Sequence, residues 1–145
     1  MITRFFNKVH DTAREVAYRL RWRTAYVKSN KSAKKLDVSG EKIIIVGNGP
    51  STAEFDFDKY AGQGYNFLCV NFFACDEEKF QELKPKYYCI VDPIFYGMLS
   101  RPPNKEEAEK IAKLKIALES VDWEMTFVQL EEQEPFFNNS NIKIV

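Results

Sequence analysis

The sequence predicts an α/β fold: a Rossmann-like parallel sheet with flanking helices, preceded by a basic amphipathic helix. Three observations predict it. Ile43, Ile44, Ile45 and Val46 form an unbroken β-branched run. Such a run suits a strand buried on both faces, as in a parallel sheet. It passes directly into Gly47-Asn48-Gly49-Pro50-Ser51, a tight strand-to-helix turn. Apolar strand-like segments then alternate with helical ones, the pattern of a doubly wound sheet.

In chain order, residues 4–27 read as a helix, because Phe5, Val9, Ala13, Val16 and Leu20 recur at spacings of three and four with charges between them. Phe6, Trp22 and Tyr26 widen the apolar side. Asn30 to Gly40 is polar and rich in Lys and Ser, and reads as a linker. The domain boundary is therefore set between a basic helix and linker, 1–35, and a Rossmann-like domain, 36–145. Strands are expected near 42–47, 66–71, 86–92, 125–130 and 141–145. Helices are expected near 51–61, 76–83 and 104–120. The last has Asn104 as its N-cap after Pro102 and Pro103, and an apolar side of Ala108, Ile111, Ala112, Ile116 and Leu118. The chain stops on a strand-like end, Asn141 to Val145, which reads either as a terminal edge strand or as a truncation.

Composition narrows the function classes. A length of 145 residues fits one domain, and 45% hydrophobic with 14% aromatic content excludes a disordered chain. No run approaches the ~20 apolar residues that span a bilayer, and the polar residues after Phe6 exclude a signal peptide. Cys69, Cys75 and Cys89 read as small buried hydrophobes in a reducing compartment. The formal net charge is zero, yet residues 1–35 hold ten Lys/Arg against Asp11 and Glu15, a net +8, so the remainder carries −8. A cationic amphipathic helix of this kind either lies on an anionic membrane surface or packs on its own domain. The chain is expected in the cytoplasm, and on the first reading peripheral on the inner face of the membrane. No nucleic-acid-binding motif accompanies the basic segment, so nucleic acid is not an expected partner.

The chemistry concentrates after the first strand. Gly47 and Gly49 let another group approach the backbone, Pro50 suits a first helical position, and Ser51 can satisfy free N–H groups. A helix start at a strand's carboxyl end is an anion site, because its N–H groups point outward unpaired. The pattern is neither the dinucleotide fingerprint nor a Walker loop, since no third glycine and no Gly-Lys-Ser/Thr follow. In an open parallel sheet ligands sit outside the carboxyl ends of the strands. Asn48, Asn71 and Asp92 each follow such an end, and each also has a second reading as an Asx residue that caps its own loop. Tyr87, Tyr88, Phe95 and Tyr96 offer rings for a base or for the core. Glu54, Asp56 and Asp58 read as a solvated turn, and Asp76, Glu77 and Glu78 as a helix start. No metal set and no cofactor motif is present.

Four segments together resemble the first half of the bacterial sialyltransferases of the Campylobacter type: Lys42 to Ser51, Asn71-Phe72-Phe73, Lys84-Pro85-Lys86-Tyr87-Tyr88 and Asp92-Pro93. Uncharacterised polysaccharide-locus proteins and archaeal hydroxymethylpterin diphosphokinase-like proteins share the Gly-Asn-Gly-Pro-Ser opening. The resemblance covers residues 42–95. It implies a glycosyltransferase that takes a CMP-linked sugar for surface polysaccharide or lipooligosaccharide synthesis. It also implies that Asn48, Gly49 and Ser51 line the phosphate site, and that Asn71 and Asp92 touch the nucleotide sugar. Two departures stand out. The sialyltransferases have Asn-Pro at Asp92-Pro93, and an ionised Asp cannot donate a hydrogen bond. The family's catalytic histidine lies in its second half, whereas this chain has only His10, in the amphipathic segment. No catalytic residue is therefore assigned. The alternatives are a pyrophosphokinase-like enzyme and a non-catalytic nucleotide-binding or interaction domain.

Overall fold

The computed structural model describes residues 38–96, 102–129 and 135–145, together with Ala13, Val16, Ala17, Arg19, Leu20, Arg23, Thr24 and Val27, which are all helical. Most of the helix expected over 4–27, His10 and the boundary at 35/36 lie outside the described residues. Five strands form one sheet: β1 (Lys42–Val46), β2 (Tyr65–Val70), β3 (Tyr87–Cys89), β4 (Met125–Val128) and β5 (Ile142–Ile144). All neighbours are parallel, and the spatial order is the chain order, β1 to β5. The architecture is thus a Rossmann-like α/β sheet, with each expected strand present.

Two expectations change. The strand order never reverses among the described strands, so the sheet is not doubly wound over this stretch, and β1 is an edge strand. Its Ile45 is 71% exposed, so, against the expected burial on both faces, the described elements bury β1 on one face only. The reason is one-sided cover. Side chains from α1 (Phe57–Ala61), α2 (Glu77–Leu83) and α3 (Lys105–Glu119) join a single core cluster with Val46, Phe67, Cys69, Tyr88, Phe127 and Ile142. The register pairs Val46 with Cys69, Cys69 with Tyr88 and Tyr88 with Phe127, so these residues share one face. The core is aromatic: the Tyr88 and Phe127 rings stack 6.0 Å apart, and the Phe80 edge meets Tyr88 at 5.8 Å.

The helix expected over 51–61 is two pieces, a 3-10 turn at Pro50–Glu54 and α1. Phe55, with φ −80° and ψ 128°, is extended and separates them. Its ring packs on Phe57 and Tyr60 at about 5 Å, so burial of an aromatic decides the break. Asp56 caps α1 by accepting from Lys59 N at 3.0 Å, which gives that carboxylate a structural role. α3 matches expectation. Its Asn104 side chain accepts from Glu107 N at 2.9 Å, and the Glu107 carboxylate accepts from Asn104 N at 2.7 Å, a full capping box. Its expected apolar side is corrected, however: Ala108, Ala112 and Ile116 are exposed, and Leu114, Ala117 and Leu118 form the buried stripe.

Candidate functional site

The ends of β1, β2 and β3 lie side by side, because the three strands are parallel neighbours. Asn48, Asn71 and Asp92 accordingly stand at one carboxyl edge. Each is held by backbone groups. With its amide oriented to suit its neighbours, Asn48 donates from Nδ2 to Val70 O at 2.8 Å, and its Oδ1 accepts from Phe73 N at 3.0 Å and Phe72 N at 3.3 Å. The Asn71 Oδ1 accepts from Val91 N at 3.0 Å and Asp92 N at 3.2 Å. An Asp92 Oδ1 accepts from Ile94 N at 3.0 Å, an Asx turn within its own loop. Asn48 and Asn71 thus perform the same task one strand apart: each fastens the exit of the next strand.

Asn71 has φ 53°, the left-handed region that asparagine tolerates better than most residues. A buried tyrosine holds it there. The Tyr88 hydroxyl donates to Asn71 O at 2.6 Å and accepts from Ala74 N at 3.0 Å. Burial pushes the Tyr88 phenol well above its usual range, so it stays neutral and keeps its proton for Asn71. Tyr88 therefore belongs to the scaffold and is closed to a ligand. Tyr87 lies at the opposite, amino edge, where its hydroxyl donates to the Glu41 carboxylate at 2.9 Å. The Phe95 ring packs against Phe72 at 4.6 Å.

An open cleft of about 310 Å³ lies over the β1 exit. Its wall comprises Gly47, Asn48, Gly49, Pro50, Thr52 and Ala53 on one side, and Phe72, Phe73, Asp76 and Lys79 on the other. Neither glycine is in the left-handed region. A Cβ built on Gly47 meets nothing within 4 Å, and one on Gly49 meets only Ser51 Oγ at 3.7 Å. Among the described residues, neither backbone strain nor packing requires glycine here. What the two residues supply is open space against the main chain. Thr52 shapes the turn by donating from Oγ1 to Gly47 O at 2.9 Å.

Four of the seven candidate residues, Gly47 to Pro50, line this cleft. Ser51 lines a separate pocket with Ile44, Ile45 and Phe55 along the free edge of β1. Asn71 and Asp92 are not in the cleft wall. The expected helix N-terminus is corrected as well. Gly49 precedes a five-residue 3-10 turn, and no side chain caps it, so Ser51 is not a cap and no long helix aims its end at the cleft. The residue that sequence reasoning missed is Lys79, whose ammonium lies 3.4 Å from the Asp76 carboxylate. Lys79 sits near the start of α2, one turn in, and only the fold brings that helix opposite the glycine turn. Among the described residues no group of three His, Cys, Asp or Glu side chains assembles. All three cysteines are free thiols, and burial raises the Cys69 thiol out of the reactive range.

No family model, curated protein or solved structure matches this chain. Among the described residues, no helix is long and apolar enough to cross a membrane.

Proposed function

We propose that this chain binds the nucleotide of a nucleotide-sugar donor, CMP-linked by preference, as the donor-binding part of a sialyltransferase-like glycosyltransferase. The observation that carries the reading is the glycine turn, which holds open a cleft that no side chain of the described residues needs. The main-chain N–H groups of the turn and the Lys79 ammonium are donors suited to phosphate oxygens. In such an enzyme the nucleotide leaves an anomeric carbon by inverting displacement, and hydrogen bonds to the departing phosphate lower the barrier. Asn48, Asn71 and Asp92 serve this reading mainly by fixing the loops. The Asn71 Nδ2 remains the donor of that trio without a partner among the described residues.

Calorimetric titration with CMP tests the reading. The wild-type chain should bind weakly and saturably. Gly47→Val should weaken binding at least tenfold, about 1.4 kcal/mol, with the fold intact, because its Cβ points into open space. Lys79→Met should lose a comparable amount, since charge-assisted hydrogen bonds contribute about 1.5–3 kcal/mol. No binding by the wild type, or equal binding by Gly47→Val, overturns the proposal.

A further inference from the structure

The sheet has a second face that no described helix covers. The register puts Ile43 and Ile45 of β1, Asn66, Leu68 and Val70 of β2, Tyr87 and Cys89 of β3, Thr126 and Val128 of β4 and Lys143 of β5 on it; Tyr87 is buried, and the apolar part left open runs over Ile43, Ile45, Leu68, Val70, Cys89 and Val128. None of these residues belongs to the core cluster. Parallel sheets are normally buried on both faces, so an apolar face of this kind calls for a cover. The described residues carry a second exposed apolar surface. Ala13, Val16, Ala17, Leu20, Thr24 and Val27 are helical, and at 100° per residue they fall in one stripe. Val16 is 51%, Leu20 60% and Val27 45% exposed.

We infer that the helical stripe of Ala13, Val16, Ala17, Leu20, Thr24 and Val27 docks on this second face, bringing Val16 and Leu20 from solvent onto the strands. Dimensions agree. At a helical rise per residue Ala13 and Val27 would stand about 21 Å apart, and the five- and six-residue strands β1 and β2 span about 17–20 Å. The fourteen residues from 28 to 41 reach at most about 46 Å, while five strands are about 19 Å across. Every strand of the face is therefore within reach. Ala13 and Ala17 permit close approach to the sheet. Charge agrees too, because residues 1–35 carry +8 and the remainder −8.

Cys89 lies on β3, the middle strand, and reports on this face directly. Leu20→Cys and Val16→Cys should each form an intramolecular disulfide with Cys89 in the full chain under mild oxidant, identified by peptide mapping. Arg19→Cys, about 100° round the helix from Leu20, should not. In the otherwise wild-type chain, Val16→Asp with Leu20→Asp should raise the alkylation rate of Cys89 about tenfold or more, since a carboxylate opposes burial against an apolar face. Intermolecular Cys89 bridges would instead assign the face to a second copy. Loss of binding to phosphatidylglycerol vesicles in the double variant, with Cys89 alkylation unchanged, would assign the stripe to a membrane. Either result overturns the inference, as does the absence of any disulfide from Val16→Cys and Leu20→Cys.

Discussion

At the scale of single residues, the carboxyl edge is built from side chains that bind backbone. Tyr88 is the clearest case, since its buried hydroxyl serves both Asn71 O and Ala74 N. Tyr88→Phe should cost about 1–3 kcal/mol in urea unfolding, because it strands a buried acceptor and a buried donor. Asn71 separates two effects. Asn71→Gly removes the side-chain bonds to Val91 and Asp92 but suits φ 53°. Asn71→Ala removes the same bonds and adds left-handed strain of about 1–2 kcal/mol, so it should be the less stable of the two by roughly that amount. These roles were half legible in the sequence. The positions of Asn48, Asn71 and Asp92 followed from the strand ends. Their partners did not, because an Asx oxygen can take a ligand or a main-chain N–H, and only the register of the next strand decides which. Tyr88 was legible as a ring for the core or a base, but the task of its hydroxyl was not: alternation along three residues does not say that Tyr87 and Tyr88 leave the strand in opposite directions to different ends of the sheet.

At the scale of elements, two local devices set stability. The capping box at Asn104 holds α3 in place, and Asn104→Ala should lower stability by about 1 kcal/mol, measured by thermal unfolding. At the amino edge, Glu41 joins three elements. Its carboxylate accepts from Lys86 at 2.7 Å, Tyr87 at 2.9 Å and Asn66 at 2.6 Å. The Lys86 hydrogen bond first, then those of Tyr87 and Asn66, hold the Glu41 carboxyl below its usual range. A depressed folded pKa contributes stability that is fully present above the unfolded carboxylate value. That contribution is lost as pH falls from there through the folded value. The urea midpoint of the wild type should therefore decline on acidification below about pH 4.5, and Glu41→Gln should shallow that decline. Elements were legible where their signal was local. The Asn104 cap and the apolar period gave α3. The break at Phe55 was not legible, because a ring buried against Tyr60 outweighs a continuous helical pattern.

At the scale of the whole molecule, the β-branched run of β1 misled in an informative way. Such a run signals a strand with apolar surroundings on both sides, and it cannot say which side the described helices leave open. Sequential strand order collects α1, α2 and α3 on one face. It leaves Ile45 exposed and the opposite face for the helical stripe of Val16 and Leu20. Among the described residues the carboxyl edge stays open over the glycine turn, which belongs to the exit of β1. Lys79 completes that edge only through the fold, 30 residues downstream of Gly49. The most direct test is the ¹H–¹⁵N spectrum of the wild-type chain titrated with CMP. The account predicts saturable shifts of the amides of Gly47, Asn48, Gly49 and Ser51 to Ala53 and of Phe72 to Lys79, with the amide of Glu41 at the far edge unmoved. Shifts confined to the Glu41 and Lys86 end, or none at millimolar CMP, would contradict it.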